Sequence, residues 1–305
     1  MNRRSAARQI LAAGAISLLP RIAAGVPQAP GDYTIRSEVR LVLLDVAVKD
    51  RNGFVSGLSQ DNFSVTEDGR PQTITVFSSA DLPVTVGLLV DESHSMRPKR
   101  AEVLGAAQTL IEGSNPLDEV FVLNFNDQVT RGLPPPILFS DNINQLRAAL
   151  YRGIPEGKTA FNDAVAAGLK QLDQGRRDRK SLVVISDGGD NASVHKSAQM
   201  FDLVERSLAT IYAIGIYDPE EPERNPGILK RLARVSGGEA YFPENLSQMT
   251  PVCRSIAAEM RTRYTIGYHP ESGGHTGSLR HVHVSVSAPG RSALAVRARS
   301  TYRYE

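Results

Sequence analysis

Four stretches of this 305-residue chain are almost continuously apolar: Val84 to Val90, Val120 to Leu123, Leu182 to Ile185 and Ile211 to Ile216. A strand with one wet face alternates polar and apolar residues. A strand that does not alternate is covered on both faces, which is the habit of parallel sheets enclosed by helices. The intervening sequence supplies those helices. Val103, Leu104, Ala107, Leu110 and Ile111 recur at helical spacing, as do Phe161, Val165, Leu169 and Leu172. Met200, Leu203, Val204 and Leu208 make a third stripe, and Val252, Ile256 and Met260 a fourth, with Ser247 as its expected N-cap. Strand and helix alternating from 82 to 262 predict a doubly wound α/β fold, Rossmann-like, with a mainly parallel sheet and helices on both faces.

The flanks read differently. Over residues 33–80, Leu44, Val46 and Val48 alternate with Asp45, Ala47 and Lys49, and Ile74 and Val76 with Thr73 and Thr75 on the expected return strand. Asn52-Gly53 and Asp68-Gly69 are hairpin signals, because these residue types tolerate positive φ at both turn positions. After Arg263 the alternation resumes with Tyr264, Ile266 and Tyr268, then Val282, Val284 and Val286, and Gly273-Gly274 and Pro289-Gly290 mark turns. Isolated hairpins are marginal in water, so residues 263–305 are expected to pair with residues 33–80 in a small β module.

Arg3, Arg4 and Arg8 precede an apolar run from Ile10 to Leu19, and Ala23-Ala24-Gly25 follow. That order describes a signal peptide over residues 1–25 and predicts an exported protein, periplasmic or extracellular. The run is too short to span a bilayer, and no transmembrane segment is expected in the mature chain. A net charge of +2 offers no basic stripe, so nucleic acid is not an expected partner. The single cysteine, Cys253, excludes an internal disulfide and falls within an apolar helical stripe, as a buried small hydrophobe would.

In open α/β sheets ligands bind beyond the carboxyl ends of the strands. The first apolar strand runs into Asp91-Glu92-Ser93-His94-Ser95, giving D-x-S-x-S. Gly157-Lys158-Thr159-Ala160 opens a helix, and the third strand ends in Ser186-Asp187-Gly188-Gly189. These loops would meet at one sheet edge and bring together three hydroxyls and two carboxylates. Such an all-oxygen set suits a hard cation, Mg²⁺ or Ca²⁺. D-x-S-x-S, then G-x-T-A, then S-D-G resembles the metal ion-dependent adhesion site of von Willebrand factor type A (VWA) domains. The resemblance extends from about Pro83 to Met260, and the flanks are similar to those of a bacterial exported family, the VWA-related acidobacterial domain. It implies a divalent ion, Mg²⁺ before Mn²⁺ or Ca²⁺, held by Asp91, Ser93, Ser95, Thr159 and Asp187. It also implies a protein ligand whose Asp or Glu completes the metal shell. One residue departs from the pattern: His94 stands where the family most often has glycine.

Other motifs are weaker. Gly153 to Thr159 reads G-x-x-x-G-K-T, one residue short of a phosphate-binding loop. It follows a helical stretch, Leu146 to Tyr151, rather than a strand, so no nucleotide is expected. His281 and His283 share a strand face without a carboxylate or thiol partner, and Glu220-Glu221-Pro222-Glu223 is a short acidic loop. A haloacid dehalogenase-type phosphatase would need a second aspartate where Ser93 stands. The rival to a binding module is a metal-dependent hydrolase, in which the ion activates water. Only Glu92 and His94 could serve it as a general base, and neither has a dedicated partner in the sequence. The expectation is therefore a non-enzymatic binding or scaffold module.

Overall fold

The computed structural model describes residues 41–217, 224–271, 275–291 and 293–304. The expected signal peptide, the acidic loop at 220–223 and the Gly273-Gly274 turn lie outside them. The chain begins with five strands: β1 (Val42–Asp50), β2 (Gly53–Phe54), β3 (Phe63–Glu67), β4 (Arg70–Gln72) and β5 (Ile74–Ser78). The α/β portion follows with β6 (Val84–Asp91), α1 (Arg100–Glu112), β7 (Glu119–Phe125), β8 (Val129–Arg131), α2 (Ile143–Leu150), α3 (Phe161–Leu172) and β9 (Arg179–Ser186). It continues with α4 (Ser197–Arg206), β10 (Thr210–Gly215), α5 (Pro226–Ser236), β11 (Ala240–Tyr241) and α6 (Met249–Arg261). Four strands close the chain: β12 (Tyr264–Tyr268), β13 (Leu279–Val286), β14 (Ala295–Arg297) and β15 (Thr301–Arg303).

The central sheet has the order β11-β10-β9-β6-β7-β8, parallel except for β8, which runs antiparallel at the edge. Every residue of β6 and β7 is buried, as their unbroken apolar sequences require. The order reverses between β6 and β9, so the carboxyl ends of these two strands form the topological switch point. The fold class is thus as the sequence predicts, a doubly wound α/β sheet with helices on both faces.

Two helix details differ. Ser247 does not cap α6; it lies in a 3₁₀ turn, Leu246–Gln248, that runs directly into the helix, and its hydroxyl bonds Asn245. In the third stripe only Met200 and Val204 are buried. Leu203 is partly exposed, and Leu208 lies past the end of α4 at Arg206, where the chain leaves the helical period.

The flanking segments interleave. β1 pairs antiparallel with β12 and β14, β5 with β12, and β3 with β13. Five-stranded and four-stranded sheets result, drawn from both ends of the chain. They enclose a core of Leu44, Val46, Phe63, Val65, Tyr264, Ile266, Tyr268, Val284 and Tyr302. The expectation that β5 returns on the N-terminal strands is therefore corrected. Of these N-terminal strands, β1–β2 and β3–β4 pair locally, while β1 and β5 lie on either side of β12. Asp68 and Gly69 both have positive φ, as the β3–β4 turn requires, whereas of Asn52 and Gly53 only the glycine does. His281 and His283 sit on the exposed face of β13, and Cys253 is fully buried in α6, where burial pushes its thiol up to about 12.

Candidate metal centre

Three loops converge at the switch point, and hydrogen bonds fix their order. Asp91 is the last residue of β6 and is buried; its Oδ1 accepts from the Ser93 N–H at 2.9 Å and its Oδ2 from the Ser186 hydroxyl at 2.6 Å. The Ser93 and Ser95 hydroxyls are 3.2 Å apart, and Ser95 donates to Asp187 Oδ2 at 3.0 Å. Asp187 Oδ1 accepts from the Gly189 N–H, which holds this carboxylate toward the serines. The first loop is tied to the second by His94 N–H to the Gly157 carbonyl and by Glu156 N–H to the Glu92 carbonyl. The second is tied to the third by Thr159 N–H to Asn191 Oδ1 at 2.8 Å.

Of the five residues singled out in the sequence, Ser93, Ser95, Thr159 and Asp187 line one cavity of about 250 Å³. Asp91 lies behind them and is linked to the cavity wall through Ser93. Burial is the main reason that its carboxyl is pushed up to about 7; the Ser186 and Ser93 hydrogen bonds pull it down, and the Asp187 charge adds to the rise. Asp187 and three hydroxyls line the cavity beside Lys158, with the Asp91 carboxyl behind them, and this set of oxygens suits a hard divalent cation. A cation there would offset the negative charge that burial makes costly. Among the described residues no three or more His, Cys, Asp or Glu side chains gather as a metal cluster, so the candidate site depends on its hydroxyls.

His94 lines the same cavity with its side chain exposed. Among the described non-glycine residues only Asp68 and Ala293 have positive φ, so the backbone at His94 has no need of glycine. Three further residues shape the site. Ser186 anchors Asp91. Asp190 accepts from the Phe161 N–H and from Asn162, and so caps α3 from outside the helix, where Ala160 at the N-cap has no side-chain acceptor. Asn191 holds Thr159. The Asp190-Asn191 pair directly after S-D-G-G is the signal that could have pointed to them, as such residues favour backbone capping.

Residues 86–189 match the family profile of the von Willebrand factor type A domain. Over 208 residues, 63% of this chain and 46% of the relative, the sequence is 24% identical to the uncharacterized protein sll0103 of Synechocystis sp.. The chain thus spans about half the length of the curated relative it matches. Among solved structures, the von Willebrand factor type A protein from Catenulispora acidiphila aligns with a TM-score of 0.52 at 13% identity, over 88% of this chain and 74% of its own. That coverage takes in the flanking strands as well as the α/β portion. The proximal thread matrix protein 1 of the mussel byssus, solved with a zinc-occupied MIDAS motif, aligns over 59% of this chain and 48% of its own, at 14% identity and a TM-score of 0.49. The chain carries a VWA domain.

Proposed function

We propose that this protein is a metal-dependent binding module that grips an acidic residue of a protein partner through one divalent ion. The observation that carries the reading is the convergence of Ser93, Ser95, Thr159 and Asp187 on one cavity, with Asp91 buried behind them. In it Ser93, Ser95 and Thr159 hold the ion through neutral hydroxyls, and Asp91 and Asp187 balance its charge. An ion held largely by neutral donors keeps net positive character and an affinity for one more carboxylate. Mg²⁺ is the proposed occupant, with Mn²⁺ and Ca²⁺ as alternatives. Residues 82–262 form the metal-bearing domain, residues 33–80 and 263–305 the module beside it, and residues 1–25 an export signal. Among the described residues no helix is long and apolar enough to cross a membrane.

The alternative reading is a hydrolase. Of its two candidate bases, Glu92 is buried, bound to Arg100 at 2.7 Å and outside the small cavity that the hydroxyls line, whereas His94 lines that cavity. Calorimetric titration of Mg²⁺ and Mn²⁺ into the full chain tests the proposal. One site per chain is expected, weakened about tenfold or more in Ser93→Ala and in Thr159→Ala. Unaltered affinity in both variants would falsify the metal assignment.

A further inference from the structure

The small metal cavity is also lined by two residues that the proposed donor set leaves unused, His94 and Lys158. His94 lies between Ser93 and Ser95, and Lys158 directly precedes Thr159. The His94 N–H donates to the Gly157 carbonyl at 3.1 Å, which brings the two stretches of backbone side by side. Both side chains are exposed, and among the described residues neither has a hydrogen bond or an ion pair. Asp187 is the one acid among the described residues of this lining, and its two oxygens already accept from Ser95 and from the Gly189 N–H. Asp127 and Glu156 line a neighbouring cavity instead, together with Arg131 and Arg152. The charge of Lys158 is therefore free. An ammonium beside a site for a divalent ion works against the ion's binding, because like charges repel. It serves an incoming anion better than it serves the ion.

We propose that His94 and Lys158 clamp the oxygen of the partner's carboxylate that the ion does not take. The inference rests on the metal-binding reading above. A carboxylate carries two acceptor oxygens, and the ion occupies one. Lys158 offers three N–H donors with a full positive charge, and the His94 ring offers at least one N–H in either tautomer. A cavity of about 250 Å³ suits one acidic side-chain end beside the ion. Charge-assisted hydrogen bonds are about twice as strong as neutral ones, so Lys158 contributes most and His94 adds to it. The imidazole that stands where glycine is usual thus becomes a recognition group. An amide in place of the acid would turn an NH₂ group toward these donors and bring no charge to pair with Lys158. Discrimination of aspartate from asparagine then comes from the clamp as well as from the ion.

The test uses the full chain and short synthetic peptides that carry a single aspartate, with the asparagine version as control. Calorimetry yields two affinities, that for Mg²⁺ without peptide and that for peptide at saturating Mg²⁺. In Lys158→Ala the aspartate peptide is expected to bind about tenfold more weakly, the worth of one charge-assisted hydrogen bond. Mg²⁺ alone should bind that variant at least as tightly as the native protein, since a like charge has gone. Lys158→Arg, which keeps the charge, should recover most of the peptide affinity. His94→Ala should weaken peptide binding about threefold, as loss of a neutral hydrogen bond does. Peptide affinity that falls while Mg²⁺ affinity does not is the signature of the clamp, because damage to the loop would weaken both. Native peptide affinity in Lys158→Ala, or a parallel loss of peptide and Mg²⁺ affinity, would overturn the clamp. Mg²⁺-dependent binding of the aspartate peptide would in that case leave the metal reading intact. A native chain that binds neither Mg²⁺ nor the aspartate peptide would overturn the two together.

Discussion

At Gly157 the second loop turns with φ of 76°, and a Cβ built there would meet Asp127 Oδ2 at 1.8 Å. The contact is with the tip of an exposed side chain that can swing aside; the backbone angle cannot be relieved so simply. Gly157→Ala should therefore cost about 1–2 kcal/mol, the penalty of a left-handed L-residue, read as a lower urea midpoint. Adding Asp127→Ala should recover little of it. Full recovery would mean that the clash, and not φ, sets the requirement for glycine. The buried position of Asp91 also decides how the metal set can be dissected. Asp91→Ala strips an acceptor from Ser186 and from the Ser93 N–H, so a loss of metal binding in that variant is entangled with damage to the loops. An aspartate expected to sit in a loop at the sheet edge is in fact the last residue of the central strand. Ser93 and Thr159 are the cleaner probes. The residue types of the candidate site were legible in the sequence because hydroxyls and carboxylates at strand ends form a local pattern. Asp91's depth was not, since burial depends on strands far away in the chain.

Among the elements, α3 shows how the third loop supports the second. Its N-cap, Ala160, has no side chain able to accept the first free N–H groups. Asp190 accepts from Phe161 N–H instead, at 3.0 Å, from beyond β9. Thr159 lies two residues before Phe161, so loosening this cap should blur the position of a proposed metal ligand. Asp190→Ala is expected to destabilise the chain by about 1 kcal/mol and to weaken Mg²⁺ binding as well. Asp190→Asn should recover only part of both, because its amide oxygen can still accept from Phe161 while its NH₂ would face the Asn162 amide. Equal Mg²⁺ affinity in all three proteins, measured by calorimetry, would separate the cap from the site. The elements themselves followed from periodicity wherever burial is uniform, as in β6, β7 and α3. The sequence reading went astray where pairing is non-local: β5 lies against β12, although its sequence distance from β1 suggested a short return. The antiparallel strand β8, three residues long, is too short to have a period of its own.

Across the whole molecule, the α/β portion and the strands from the chain ends are joined by charge as well as by packing. Glu259 of α6 is fully buried and accepts from Arg263 at 2.9 Å and from Arg297 of β14 at 2.5 Å. Arg263 also donates to the Asp45 carbonyl of β1 and to the Gly237 carbonyl after α5. Beside this cluster Glu239, just before β11, pairs with Lys49 of β1 at 2.9 Å and with Arg297. Burial pushes the Glu239 carboxyl up, but the hydrogen bonds from Arg297 and Lys49 outweigh it and hold the group down at about 2, against an ordinary value of 4.5. A carboxyl depressed in the folded state contributes stability that is fully present above its unfolded value and is lost as pH falls toward the folded one. The junction should therefore weaken as pH falls from about 4.5 to about 2. Glu239→Gln removes the charge at every pH. It is expected to lower the urea midpoint at pH 6, where the native carboxylate is ionised, and to converge on the native protein as pH falls to about 2 and below, where the native carboxyl takes up its proton as well. Urea titrations of the two proteins across that range decide the matter. A constant gap between them would show that Glu239 acts through shape and hydrogen bonding, and that the charge of this junction does not hold the two parts together.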